Sequence, residues 1–375
     1  MKQVVIIPTI NPSAGITELV DQLKEQGFER IIVVDDGSDS DWSTVFDYLS
    51  DAGCVVVHHG KNLGKGAAIK TGIQTMRKTW PDAPAFVTVD GDGQHLPKDV
   101  YRVAIASQNN PGCVVLGIRN LRERNVPPRS KLGNAFSSLY FKLDTGVKCP
   151  DTQTGLRVVP ASLFSVAQSC DGDRYEYEMN FLTMVARGGV SLLMIPITTV
   201  YEDGNAGSHF DTLRDSYRIY RSFFRFAGAS LICAVADLGL FALGTAVFSA
   251  AFSAVIAVAV ATVVARLASG TLNFTLNRFW SFRADEGRTH VQAQRYLVLF
   301  LAQMLMSATL VAFVSLVLPA LLAKIIVDSC LFVFSYFVQR NWVFAGEKDM
   351  RAQQALPLTT AATKGAGFNA ASGIN

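Results

Sequence analysis

Charge is what this chain has least of. Only 17% of its 375 residues are charged, against 50% hydrophobic, and mean hydropathy is +0.26; soluble domains usually carry about 25% charge. The shortage is local. Residues 238–265 contain no charged residue, whereas residues 1–222 carry Asp, Lys, Arg and Gly at regular intervals. A wholly soluble protein is excluded, because soluble helices would show polar faces at a 3.6-residue period. The net charge of +3 is too small for the basic footprint of a nucleic-acid binder. The six cysteines (54, 113, 149, 170, 233, 330) form no CxxC pair and no metal-ligand spacing. They suit small core residues of a reducing compartment. Two nucleotide-binding loops are missing as well. In GKNLGKGAAIKTG (60–72) Lys65 is followed by Gly66, not by the Ser or Thr of a phosphate loop, and no GxGxxG follows the first strand. The N-terminal VVIIP is shorter than the ~7–15 apolar residues of a secretory leader. It is read as a strand, which leaves residues 1–209 as a domain expected in the cytoplasm.

What is present in that half is alternation. QVVIIPT, RIIVVDDGS, CVVVHHG and AFVTVDGDGQH are strand-like runs separated by amphipathic segments of helical length, which predicts βαβ units and a mostly parallel, Rossmann-like sheet. Ligands of such sheets lie beyond the carboxyl ends of the strands. The polar clusters fall there: Pro8 and Thr9, then Asp35 to Ser38, then Asp90 to His95. In TVDGDGQH (88–95), Asp90, Asp92 and Gln94 either form a polar turn or supply oxygen ligands to Mg²⁺ or Mn²⁺. Lys65 either opens an ordinary helix or meets a phosphate at that helix's N-terminus.

The motifs IPT (7–9), VVDDGS (33–38), NLGKGAAIKTG (62–72), VDGDGQH (89–95) and GIR (117–119) resemble family 2 glycosyltransferases of the GT-A fold. PDTQTGLRVVP (150–160), YEYEM (175–179) and SHF (208–210) resemble the polyprenyl-phosphate subgroup, similar to dolichyl-phosphate mannose synthase. The resemblance implies a nucleotide-sugar donor, a polyprenyl-phosphate acceptor and a divalent cation on Asp90, Asp92 and Gln94. It implies donor contacts at Pro8, Asp36, Lys65, Asp90, Gly91, Asp92 and His209. Arg119 matches a phosphate-binding arginine, and Arg129 and Lys131 sit in the stretch that meets the acceptor phosphate. Asp151 matches a carboxylate near the acceptor, as base or positioning group, or is simply a capped turn; Asp92, Asp151 and Arg119 form the catalytic set. Two departures stand out: Asn11-Pro12 replaces the usual Asn-Glu, and Asp203 and His209 replace the basic residues of GDP-mannose users. The nucleotide is therefore left open between UDP and GDP.

The apolar half divides into four spans, about 226–249, 252–276, 297–318 and 320–344, each near the ~20 residues that cross a bilayer. Arginines cluster before the first span, between the second and third, and after the fourth, which puts those segments and both termini in the cytoplasm. RFAG and NRFWSF bracket the first pair of spans, RYLV and QRNWVF the second. This internal repeat resembles the GtrA-like membrane domain. Residues 210–225 are expected to form an interfacial amphipathic helix, with Leu213, Tyr217, Tyr220 and Phe224 toward lipid. Residues 346–375 are expected to be a disordered tail. Asp237, Arg266 and Asp328 each lie twelve positions from an arginine (225, 278 and 340), about 18 Å along a helix. Arg266 is expected to pair with Asp237, with Asp328 a lesser or shared partner. The leading expectation is a multi-pass enzyme of the cytoplasmic membrane, in contact with membrane lipids and open to homo-oligomerisation. Alternatives are a processive polysaccharide synthase, for which QAQRY (292–296) imitates a QxxRW motif, and a non-enzymatic flippase of lipid-linked sugar.

Overall fold

The first apolar run becomes the centre of a sheet. In the computed structural model, which describes residues 1–13, 15–123, 126–198, 212–284 and 287–345, strand β1 (Val4–Thr9) is flanked by β2 (Ile31–Asp35) and β4 (Ala85–Thr88), and Val4 to Ile7 are fully buried. A strand apolar on both faces needs helices on both. Helices α1 (Gly15–Glu25) and α4 (Pro97–Asn109) cover Val5 and Ile7. Beyond β2 lie α2 (Ser43–Asp51), β3 (Val55–His58) and α3 (Lys65–Thr79). Then come β5 (Val114–Arg119), α5 (Pro128–Thr145), β6 (Arg157–Pro160), α6 (Phe164–Ser169), α7 (Glu176–Arg187) and β7 (Leu192–Ile197). The strand order is β3-β2-β1-β4-β6-β5-β7. Among the described strands only β6 runs antiparallel to its neighbours, β4 and β5. That reversal has a consequence for the site. The residues just before β6 join the carboxyl ends of the parallel strands at one edge.

Near residue 210 the chain divides into two compact units. The second begins with α8 (Thr212–Ile219) and contains, among the described residues, four helices long and apolar enough to cross a membrane: Arg221–Phe248, Ala254–Ser281, Thr289–Val314 and Ala320–Val343. They are α9 (Arg221–Phe248), α10 (Ala254–Leu276), α11 (Thr289–Val314) and α12 (Ala320–Val338), with α10 and α12 running on into π-helices Asn277–Ser281 and Gln339–Val343. The two π-helical turns are the NRFWS and QRNWV of the sequence repeat. Arg225 Nη1 donates to the Trp280 carbonyl at 3.3 Å and Arg295 Nη1 to the Trp342 carbonyl at 2.8 Å, so each hairpin closes with the same clasp. Between the hairpins, Asn277 Nδ2 donates to Gln339 Oε1 at 3.0 Å.

Three expectations need correction or restriction here. The amphipathic helix does not run over 210–225. It ends at Ile219, and the chain turns at Tyr220 (φ −102°, ψ 20°) before α9 begins. Tyr220 is consequently buried, while Tyr217 and Phe224 stay half exposed with rings stacked 5.6 Å apart. Asp328 is not shared with Arg266, because Lys324 Nζ at 2.7 Å and Ser307 Oγ at 2.6 Å already occupy it. Arg266 Nη2 lies 3.6 Å from Asp237 Oδ2, which also accepts from Ser269 through Oδ1 at 2.8 Å. The side chain of Leu213 and the tail 346–375 lie outside the described residues.

Candidate active site

The polar edge of the sheet is assembled from five strand ends. After β4 comes Asp90, and its carboxylate lies against the backbone of Gly155, just before β6. A Cβ at position 155 would sit 2.2 Å from Asp90 Oδ2, so only glycine leaves that carboxylate room. Thr88 Oγ1 donates to the Gly155 carbonyl at 2.6 Å and fixes the approach. Lys65, the first residue of α3, brings its ammonium to Asp90 Oδ1 at 2.7 Å and to Glu178 of α7 at 3.1 Å. Burial works against charging Lys65, but Asp90 and Glu178 outweigh it and raise its pKa. Asp90 is held at about 2: burial opposes ionisation, and the Lys65 ammonium overcomes it.

Asp92, two residues on, goes the other way. Burial, and then the charge of Asp90, push its carboxyl above the usual range, while the Gln94 N–H it accepts at 3.1 Å pulls back. Burial lowers the pKa of His95, and the Asp90 amide donates to its Nδ1 at 3.1 Å, which fits a neutral ring. Gly91 packs beside β1, where a Cβ would stand 3.0 Å from Thr9 Oγ1. Two close carboxylates, one of them disfavoured by the other, are oxygen donors of the kind a hard divalent cation takes. Among the described residues no group of three His, Cys, Asp or Glu side chains is spaced for a metal. The fit therefore rests on the carboxylates of Asp90 and Asp92, with the Gln94 backbone N–H on Asp92.

Asp151 is completely buried beside the end of β5. Its oxygens accept from Arg119 Nε at 2.8 Å, Arg119 Nη2 at 3.0 Å, the Arg119 amide at 3.1 Å and the Gln153 amide at 3.2 Å. With four N–H donors on its two oxygens, its geometry is that of a bracket for a guanidinium. Asp36 is also a bracket. It is buried, and accepts from the amides of Leu63 at 2.9 Å and Gly64 at 2.7 Å, with His59 Nδ1 at 2.8 Å. It thereby shapes the glycine turn that presents Lys65. Pro8, expected in a loop, lies inside β1 opposite Val34 and is buried. Arg129 and Lys131 stand in the first turn of α5, and His209 and Asp203 fall outside the described residues. The structure thus gathers Lys65, Asp90, Gly91, Asp92 and Gln94 into one cluster, with Arg119 and Asp151 as a buried pair at the same edge.

A sequence profile described as Glycosyl transferase family 2 matches residues 4–165, and one described as GtrA/DPMS, transmembrane domain, matches residues 225–344. An uncharacterised protein of Methanocaldococcus jannaschii is 32% identical over 206 residues, which are 53% of this chain and 82% of that protein. The chain belongs to glycosyl transferase family 2. This glycosyltransferase is also similar to the UDP-N-acetylglucosamine–dolichyl-phosphate N-acetylglucosaminyltransferase of Methanococcus voltae, 29% identical over 216 residues, 53% of this chain and 85% of that one. Among solved structures, a mannosyltransferase of Pyrobaculum calidifontis in complex with GDP-Man and Mn²⁺ aligns over 91% of this chain and 87% of that one, at 15% identity and TM-score 0.39.

Two residues of the glycosyltransferase site escaped the sequence reading of roles. Glu178 was visible only inside YEYEM, one acid among two, with nothing to say which turned inward. Gly155 lay inside PDTQTGLRVVP with no role of its own, and its contact with Asp90 arises because β6 runs antiparallel.

Proposed function

We propose that this glycosyltransferase moves a single sugar from a UDP- or GDP-sugar to a polyprenyl phosphate at the cytoplasmic face of the membrane, with inversion. The observation that carries the reading is the pairing, in one chain, of a family 2 site with a GtrA/DPMS transmembrane domain. The similarity to a dolichyl-phosphate N-acetylglucosaminyltransferase supports the same acceptor class. An acceptor phosphate oxygen attacks the anomeric carbon. The new carbon–oxygen bond forms as the bond to the diphosphate breaks, and the nucleoside diphosphate leaves with the electron pair. A phosphate monoester is mostly dianionic at neutral pH, its second pKa being about 6, so no proton has to be removed and Asp151 need not be a base.

Asp90, Asp92 and Gln94 would hold a divalent cation, Mg²⁺ or Mn²⁺, which when bound offsets the charge that grows on the leaving diphosphate. Lys65 adds a positive charge beside that position, kept in place by Glu178. Asp151 fixes the plane of Arg119, whose guanidinium suits phosphate. Arg129 and Lys131 favour the acceptor phosphate, and Asp36 maintains the turn that carries Lys65. Pro8, Gly91 and His209 complete the donor contacts in this reading. The arginines at the ends of the apolar helices support a reading with both termini in the cytoplasm. The test is incubation of membranes holding the full chain with radiolabelled UDP- and GDP-sugars and polyprenyl phosphate. A labelled lipid cleaved by mild acid is expected; label in a polymer, or none in lipid, overturns the reading.

A further inference from the structure

The two hairpins share a clasp but not the charges around it. Arg225 and Arg295 each donate to a tryptophan carbonyl, at 3.3 and 2.8 Å. Setting Arg225 against Arg295, and NRFWSF against QRNWVF, pairs the neighbouring positions of the two halves. Four residues before the clasp arginine stands Arg221 in the first hairpin and Val291 in the second. Three residues after the clasp tryptophan stands Arg283 in the first and Ala345 in the second. The clasp therefore needs neither added charge. Position at one membrane surface does not need them either, since the Asn277–Gln339 bond holds both hairpin ends at the same level.

The fold brings the added arginines together. Arg221 and Arg225 lie one turn apart on α9, on the same helix face. Arg225 reaches the Trp280 carbonyl, and the Phe282 ring packs 6.0 Å from that of Phe226. The chain leaving the π-helix thus runs beside the start of α9, and Arg283 is its next residue. Both Arg221 and Arg283 act on Arg225 as like charges. Among the described residues no carboxylate pairs with any of the three, and Arg221 and Arg283 are exposed. The backbone supplies a separate observation. Arg283 has φ 51°, a left-handed conformation that glycine adopts freely and a long side chain does not. The Ala284 amide, donating to the Arg278 carbonyl at 2.8 Å, closes the turn. Residues kept in such strain gather at ligand sites.

We propose that Arg221, Arg225 and Arg283 form a binding site for a membrane lipid whose phosphate head carries two negative charges. Guanidinium groups grip phosphate oxygens in pairs, and a shared anion relieves the repulsion among three close cations. A head with a single negative charge would leave that repulsion partly in place. Exposed Leu231, Val235 and Leu238 continue α9 away from the cluster. They offer a path for the chains of a lipid, which free phosphate has no use for. The site lies wholly in the helical unit, and its existence goes beyond the sugar-transfer reading and does not depend on it.

The test is native mass spectrometry of the full chain in detergent, titrated separately with cardiolipin, polyprenyl phosphate and phosphatidylglycerol. Cardiolipin carries two phosphodiesters and no monoester to accept a sugar, so its binding is read apart from transfer. Tighter binding of cardiolipin and polyprenyl phosphate than of phosphatidylglycerol is expected. Arg221→Gln with Arg283→Gly leaves the clasp in place and relieves the strained turn. Its thermal transition should not fall, while its affinity for cardiolipin should drop about thirtyfold. Arg221→Lys with Arg283→Lys should keep most of the affinity. Should the Gln and Gly pair fail to fold, Arg283→Gly alone serves, with a loss of about fivefold. Unchanged cardiolipin affinity in these variants overturns the proposal, as does equal affinity for all three lipids. Displacement of cardiolipin by millimolar inorganic phosphate also overturns it, and assigns the cluster to free phosphate.

Discussion

The two units treat charge in opposite ways. At the edge of the sheet, Lys65, Asp90, Glu178, Arg119 and Asp151 are buried or nearly so, and each carboxylate is held by a cation at hydrogen-bond distance. In the helical unit, Arg266 reaches Asp237 only at 3.6 Å, with the arginine side chain 65% exposed, and Lys324 and Asp328 pair along one exposed helix face. The first arrangement preorganises an electrostatic site, where a lost partner leaves a stranded charge. In the second, Arg266–Asp237 is a looser bond between neighbouring helices, of the kind that contributes modestly in membranes, and Lys324–Asp328 an exposed pair within one helix. Proximity of opposite charges therefore means different things on the two sides of residue 210. Substitutions can grade the difference.

The largest effect is expected at Asp92. Asp92→Ala removes a proposed cation ligand, and with it several kcal/mol of charge stabilisation. Transfer should fall by three orders of magnitude or more, while the thermal transition of the protein stays in place. Near-normal, metal-dependent turnover in that variant would erase the contrast between the units.

Next comes Gly155→Ala, which touches no ligand. The added methyl cannot coexist with the Asp90 carboxylate as placed, so the carboxylate must turn away from Lys65. A loss of roughly a hundredfold in kcat is expected from a displacement of about 1 Å. Mn²⁺ affinity, followed by electron paramagnetic resonance, should weaken in parallel. Unchanged affinity would mean that the Asp90–Gly155 contact does not position the site.

Smaller still is the intramembrane pair. Arg266→Leu should lower stability in nanodiscs by about 1 kcal/mol, and adding Asp237→Leu should restore much of it. A double variant as unstable as the two single changes combined would show that the two side chains act independently.

The smallest effect concerns acid. Asp35 is buried, which opposes its ionisation, but hydrogen bonds from Ser38 and His58 hold its carboxyl below the ordinary 3.8. A lowered folded-state pKa gives stability that is complete above the unfolded value and lost as pH falls through the folded one. Asp35→Asn should therefore cost stability at neutral pH. The gap between variant and parent melting temperatures should close as pH drops below about 4. A gap constant with pH would assign the loss to packing alone.

Much of this was legible in the sequence, and what was hidden follows a pattern. VVIIP, IIVVD and AFVT announce buried parallel strands because both of their faces are apolar, and Asp36 and Asp90 fall at strand ends by simple counting. The four apolar helices were legible from length alone, although their ends moved: the first starts at Arg221 and the third already at Thr289. Direction was hidden. The pattern of α5 reveals an apolar face but not that it points outward, because Asn134, Ser137 and Asp144 find their partners at Pro150, Thr152 and Arg187, far along the chain. Asp36 reads as a ligand-binding carboxylate, yet its two oxygens are spent on backbone amides and a histidine that only the fold brings near. The π-helical turns were visible as repeated letters and not as geometry, since no local propensity separates NRFWS from an ordinary last helical turn.

The paired clasps of the helical unit reach beyond its own stability. Two identical hairpins that meet about an axis must be self-complementary, so any change appears on both sides at once. Fused in one chain, the halves escape that constraint. Asn277 faces Gln339 where a symmetric dimer would face its own kind. The serine–aspartate bond persists in both hairpins with its direction reversed, from Ser269 on the second helix to Asp237 on the first, but from Ser307 on the third to Asp328 on the fourth. Two hairpins that share one clasp thus carry their negative charge at two inequivalent positions, and a molecule approaching from the lipid would meet two different faces.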